Sequence, residues 1–119
     1  MNKRMSIETC SYQGLLYERY PNEELMSWTE ALLYAKSLNE HGFEKWRLAT
    51  VEELQKLFRQ PKKKFLKNLN AVWSGSKEDK EKSWVMDFHQ NFYYIRNNEL
   101  KFRVLCVKDT ALKRSIKFF

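Results

Sequence analysis

Trp46-Arg47-Leu48-Ala49-Thr50-Val51-Glu52-Glu53-Leu54 changes character at Thr50. Thr50 and Glu53, three residues apart, form a capping box. The Thr oxygen accepts an orphan amide of the first helical turn, and Glu53 reaches back to the Thr50 amide. Val51, Leu54, Leu57 and Phe58 then make the buried stripe of a short helix that Pro61 stops. Arg47, just upstream, reads best as an ion pair with Glu52 or Glu53 that orients the loop entering this helix. The other reading is a guanidinium turned toward a ligand.

Upstream the same logic repeats. Ser27 and Glu30 form a second capping box. Trp28, Ala31, Leu32, Ala35 and Leu38 line one apolar face, which predicts a helix over 28–40 with Gly42 as its left-handed stop. His41 precedes that glycine, where its charge suits a helix C-terminus. Residues 12–19 read as a first strand ended by Pro21-Asn22.

Downstream of Pro61 the chain turns to strands. Val72 to Ser74 is short, and Lys77 to Lys82 is a charged turn. Trp84, Met86 and Phe88 alternate with Val85 and Asp87, the period of a strand. Phe92 to Arg96 follows. Asn97-Asn98 suits a tight hairpin because Asn tolerates positive φ. Leu100, Phe102, Val104 and Cys106 alternate again, opposite Lys101, Arg103, Leu105 and Val107. The predicted order is strand, two helices, then an antiparallel meander. That is an α+β class with the helices packed to one side of a small sheet.

A length of 119 residues fits one domain over 1–119, with its core at about 12–108 and a basic tail at 109–119 ending in Phe118-Phe119. The 43% hydrophobic and 15% aromatic content suffices for a core. Apolar runs such as Ala31 to Ala35 fall far short of the roughly 20 residues of a spanning helix, so membrane insertion is not expected. Met1 to Tyr12 has no apolar signal-peptide region, which gives an expectation of a cytoplasmic location.

The net charge of +7 is unevenly spread. Residues 1–58 hold seven Lys/Arg against nine Asp/Glu, a balance of −2, and residues 59–119 hold fifteen against six, a balance of +9. A basic half suits an acidic partner: nucleic acid, a sulfated or uronic glycan, or an anionic surface.

Catalytic constellations are missing from the sequence. His41 and His89 stand apart from one another and from the cysteines. No glycine-rich phosphate loop, nucleophile elbow or zinc spacing occurs. Calcium-dependent sugar binding would need clustered oxygens; Asp87 follows a tryptophan but has no second acidic ligand nearby in sequence. No catalytic residue, metal or cofactor is therefore expected. Cys10 and Cys106, 96 residues apart, read either as buried thiols or as a bridge joining the first and last strands.

Several motifs in order carry a family resemblance. Trp28-Thr29-Glu30-Ala31, Ala35-Lys36-Ser37-Leu38 and Gly42 through Leu54 resemble a T-W-x-x-A … G-x-x-x-W-R-L-P-T-x-x-E-L signature. Trp73-Ser74-Gly75-Ser76 resembles a W-S-S block, Trp84 to Phe88 resembles W-x-v-D-F, and Arg103 to Val107 resembles a closing R-C-V strand. Together, from about Gly14 to Lys108, they are similar to the bacterial Lcl C-terminal domain family. Ala49 replaces a usual Pro, and Asn91 stands near a usual hairpin Gly. The resemblance implies a C-type-lectin-like fold whose first and last strands pair, which would draw Cys10 and Cys106 together. It also implies a mostly unassigned activity, with surface-exposed, sulfated-glycan-binding and trimeric members.

Trp28, Trp46, Trp73 and Trp84 lie inside those motifs and read first as core, second as a stacking platform for sugars. The segment with Arg59, Lys62, Lys63, Lys64 and Lys67, interleaved with Phe65, is the best ligand candidate, and its bland alternative is a solvated loop. Phe92-Tyr93-Tyr94 puts successive rings on opposite faces of a strand, so one of Tyr93 and Tyr94, Tyr93 by preference, faces outward beside that segment. The expected function is a non-catalytic, lectin-like module for an acidic polymer. The alternatives are a protein-interaction or homo-oligomeric domain, and a cytoplasmic nucleic-acid-binding protein, for which no reader motif is present.

Overall fold

The computed structural model describes residues 7–39, 45–61, 66 and 68–110. The expected strand at 12–19 is two strands, β1 (Thr9–Tyr12) and β2 (Leu15–Glu18). Between them Gln13 and Gly14 both take positive φ, 50° and 83°, the demand of a two-residue primed turn. Gln is a rare choice there, so the residue types do not advertise the turn.

Helix α1 spans Trp28–Ser37, shorter than the 28–40 expected, and Leu38 caps it. Its capping box forms as expected: Ser27 Oγ accepts the Glu30 amide at 3.2 Å, and Glu30 accepts the Ser27 amide at 2.9 Å. Trp28, Ala31 and Ala35 are buried, but Leu32 is exposed and lies off the buried stripe. Gly42 and His41 lie outside the described residues. After β3 (Arg47–Leu48), helix α2 runs over Val51–Phe58 with its Thr50–Glu53 capping box complete and Arg59 at its C-cap. Val51, Leu54 and Leu57 form its buried stripe.

The remaining strands are β4 (Ala71–Lys77), β5 (Lys82–Asp87), β6 (Phe92–Asn97), β7 (Arg103–Val104) and β8 (Cys106–Asp109). They do not form one antiparallel meander. Among the described residues two four-stranded sheets form, in the orders β1-β2-β8-β3 and β6-β5-β4-β7, and β7 runs parallel to β4. The chain passes from the second sheet to the first at Leu105, so the closing strand serves both. The expected pairing of first and last strands is present between β2 and β8, with Tyr17 opposite Val107. The Asn97-Asn98 hairpin does not form. Asn98 instead bonds back to Glu81 through its amide at 2.7 Å, and the chain returns through a Met26–Phe102 bridge. The tight turn belongs to Asn91 between β5 and β6, with φ 61°.

Alternation along the strands feeds two cores. Val72, Met86, Phe88, Tyr17 and Val107 join Leu54 and Leu57 of α2. Their neighbours Trp73, Val85, Val104 and Cys106 join Trp28, Ala31 and Ala35 of α1. The two helices thus serve different cores rather than one side of one sheet. At Gly75 the backbone of β4 passes close to β3: an added Cβ would lie 3.2 Å from that of Leu48. The Gly75 amide donates to the Ala49 carbonyl at 2.7 Å, so the small residue permits this join.

The same register separates the cysteines. Cys10 opposes Tyr17, Tyr17 opposes Val107, and Cys106 is the next residue on β8, on the opposite face. With β2 between them, two strand spacings of about 4.8 Å exceed the Cα separation a bridge allows. Both thiols are free, and the disulfide reading is overturned.

Candidate functional site

Three of the four motif tryptophans are core. Trp73 is fully buried, donates to the Met26 carbonyl at 2.9 Å and meets Phe102 edge-on at 5.1 Å. Trp28 donates to the Ser74 carbonyl at 2.9 Å. Trp46 is buried under the Lys108 ammonium, 5.0 Å from its ring centre. Trp84 departs from the core reading. It is half-buried on β5, donates to Glu78 at 3.2 Å, and lies 5.4 Å from the Tyr93 ring at 60°.

The charged motif residues hold structure. Arg47 pairs with Glu53 through both nitrogens, at 2.7 and 2.9 Å, and with Asp109 at 3.1 Å. The hydrogen bond to Glu53 is the chief cause of its raised pKa. Asp87 Oδ1 accepts the amides of His89 and Gln90, both at 2.9 Å, and so shapes the β5–β6 turn. Among the described residues no group of three or more His, Cys, Asp or Glu could hold a metal ion.

What is left for a ligand is the β5–β6 ribbon. Strand β6 is an edge strand, paired to β5 alone among the described residues. Pairing Met86 with Tyr93 and Val85 with Tyr94 sends the two tyrosines to opposite faces. Tyr93 is 43% exposed beside Trp84, whereas Tyr94 packs half-buried against the α1-side core. Tyr94 lies 5.2 Å from the Phe92 ring and 4.0 Å under the Arg96 guanidinium. Burial raises the pKa of Tyr94, aided by the Asp87 carboxylate 3.5 Å from its hydroxyl.

Arg59 is exposed at the C-cap of α2. Phe58 stacks on Phe88 at 6.0 Å, which brings this end of the helix to the β5–β6 turn. Of the expected site, Arg59 is exposed at the end of α2 and Tyr93 is exposed on β6. Tyr94 faces the other way, and Lys62, Lys63, Lys64 and Lys67 lie outside the described residues. The sequence reading put Trp84 in the core first and on a stacking platform only second, and it missed Arg96 as a surface residue. The signal was the Asn91 turn: folding the chain back on it sets Trp84 against Ile95 and diagonal to Tyr93.

A model of the Lcl C-terminal domain matches residues 8–108. No curated protein matches the chain. Among solved structures, the chain is similar to EMS16, an antagonist of the collagen receptor integrin alpha2beta1, at 17% identity and TM-score 0.60, covering 86% of this chain and 97% of that one. It is similar to botrocetin in complex with the A1 domain of von Willebrand factor, at 16% identity and TM-score 0.58, covering 90% and 100%. Human lithostathine matches at 16% identity and TM-score 0.58, covering 86% and 88%. These likenesses establish the C-type-lectin-like fold.

Proposed function

We propose that this chain, which belongs to the Lcl C-terminal domain family, is a non-catalytic, lectin-like binding module whose ligand is an acidic polymer, a sulfated or uronic glycan. The observation that carries the reading is the half-exposed Trp84–Tyr93 pair, in a chain whose second half bears +9. Aromatic faces suit the C–H side of a pyranose, and exposed cations suit its sulfates or carboxylates. Arg59, Lys62, Lys63, Lys64 and Lys67 supply the charge, and Tyr93 the flanking ring. Arg47 and Asp87, the two charged motif residues weighed for a ligand, are engaged in holding loops together.

The test is binding to a heparin-like glycan and to duplex DNA across a salt series. The slope of log affinity against log salt counts the charges in contact. Tight, saturable glycan binding that exceeds DNA binding, and is abolished by K62E/K63E/K64E, is the expected result. Equal, salt-erased binding to both would overturn it.

A second reading, a protein-interaction module, is favoured by the open edge of β6, where Phe92 and Tyr93 are 44% and 43% exposed. An unpaired strand edge accepts another strand. Two of the structures it resembles bear names that describe protein targets. Light scattering at high concentration tests self-association through this edge; a monomer throughout counts against it.

A further inference from the structure

Where the two sheets part, a pocket of about 240 Å³ opens. Arg19, directly after β2, and Arg103, which begins β7, both line it, with Asn68, Leu69 and Tyr20. Glu23 contributes the pocket's carboxylate. Arg19 follows a strand of the first sheet and Arg103 begins a strand of the second.

Arg103 is the informative group. It is half-buried, and among the described residues its guanidinium makes no ion pair and no hydrogen bond. Arg47, also half-buried, is neutralised by two carboxylates. Partly desolvating a guanidinium without a partner is unfavourable, and a ligand anion supplies that partner. Arg19 is exposed and lies 5.8 Å from the Tyr20 ring, which is itself 72% exposed. Among the described residues, two guanidiniums and one carboxylate line the pocket, a balance of one positive charge.

We propose that this pocket binds one uronic acid residue of a glycan. The planar carboxylate takes the guanidinium forks of Arg103 and Arg19. The sugar hydroxyls take the Asn68 amide and the Glu23 carboxylate, and the C–H face lies on Tyr20. The volume fits a sugar ring rather than a drug-sized ligand. This deepens the acidic-glycan reading and rests on it, but it places a subsite on residues separate from the Arg59–Lys67 segment.

The experiment is titration of the full chain with methyl glucuronide, methyl glucoside and inorganic sulfate, followed by calorimetry and amide NMR shifts. Methyl glucuronide is expected to bind saturably, shifting the amides of Arg19, Tyr20 and Asn68. Methyl glucoside should bind at least tenfold more weakly. R103Q should weaken glucuronide binding at least tenfold with an unchanged melting temperature. If R103Q lowers that temperature, R19Q on an exposed side chain reads the same loss. Unchanged glucuronide affinity in both variants overturns the subsite, as does sulfate saturating the same amides equally well. K62E/K63E/K64E separates the two proposals. If it abolishes polymer binding while R103Q and R19Q leave glucuronide affinity intact, the subsite falls and the polymer reading stands. Glucuronide binding by a chain with no polymer affinity does the reverse.

Discussion

Glu53 grips both terminal nitrogens of Arg47, at 2.7 and 2.9 Å, while its Oε1 also accepts the Thr50 amide at 3.0 Å. One carboxylate therefore caps α2 and fixes the loop from β3. Glu53→Ala removes both roles, and the expected loss is about 1–2 kcal/mol, most of it the cap, since the Arg47 side chain is 38% exposed and solvent weakens its pairing. Glu53→Gln keeps an acceptor for the Thr50 amide and should lose roughly half as much. Urea midpoints compare them. Equal midpoints for the two variants would show that the cap adds nothing beyond the charge.

Cys10 and Cys106 should react as two separate free thiols. Burial, then the nearby Glu18 carboxylate, pushes the Cys106 pKa well above its ordinary value, which suppresses the reactive thiolate. With a colorimetric thiol reagent and no reductant, one equivalent is expected from the native chain and two after denaturation. No reactive thiol in the denatured chain would establish a bridge and refute the strand register.

The readings that succeeded are local. Both capping boxes needed only residues three apart, and the Arg47–Glu53 pair lies six apart across one loop. The failures depend on tertiary context. Gln13 adopts positive φ because β1 must fold back onto β2, a conformation its side chain does not advertise. Asn97-Asn98 do turn the chain, with the Leu100 amide donating to the Asn97 carbonyl at 3.1 Å, but the strand that follows pairs with β4 and not with β6, so the hairpin is the one at Asn91. The parallel β4–β7 pairing joins segments remote in sequence, and no alternation pattern carries that information. Trp84 shares its strand period with Met86, so periodicity assigned it to the core, yet Met86 is buried and Trp84 only half-buried. Arg19 and Arg103, remote in sequence, carry no joint signal until the fold brings both to one pocket.

Glu18 gives the fold a pH dependence of defined sign. It is 2% exposed, accepts the Tyr34 hydroxyl at 2.6 Å and the Cys106 amide at 2.8 Å, and burial raises its pKa despite those bonds. A raised folded-state pKa means the folded chain binds the proton more tightly than the unfolded one. Its contribution is then fully present below the ordinary carboxylate range and is lost as pH rises through the raised value. Glu18→Gln keeps an acceptor and carries no charge, so it should gain stability relative to the parent as pH rises from about 4 toward about 8. The gain is about 1.4 kcal/mol for every tenfold by which folding tightens proton binding. Melting curves across that range test it; a variant–parent difference that is flat or shrinks with pH would sink the assignment.

Trp73 and Trp84 should separate stability from binding. Trp73 is fully buried, so Trp73→Ala is expected to cost about 3–5 kcal/mol, enough to unfold a marginally stable domain. Trp73→Phe keeps most of the packing and gives up the bond to the Met26 carbonyl. That carbonyl still accepts the Phe102 amide at 2.9 Å, so the cost should stay near about 1 kcal/mol. Trp84 rests on Tyr93 at a sheet edge, and Trp84→Ala should cost only about 1 kcal/mol of stability. Its larger effect is expected on the polymer, where loss of one stacking ring should weaken affinity by roughly fivefold, about 1 kcal/mol. Chemical denaturation and glycan titration of Trp73→Phe and Trp84→Ala make the comparison directly. If Trp84→Ala leaves polymer affinity intact, the ribbon of β5 and β6 is not the glycan face, and its open edge is left to the protein-interaction reading.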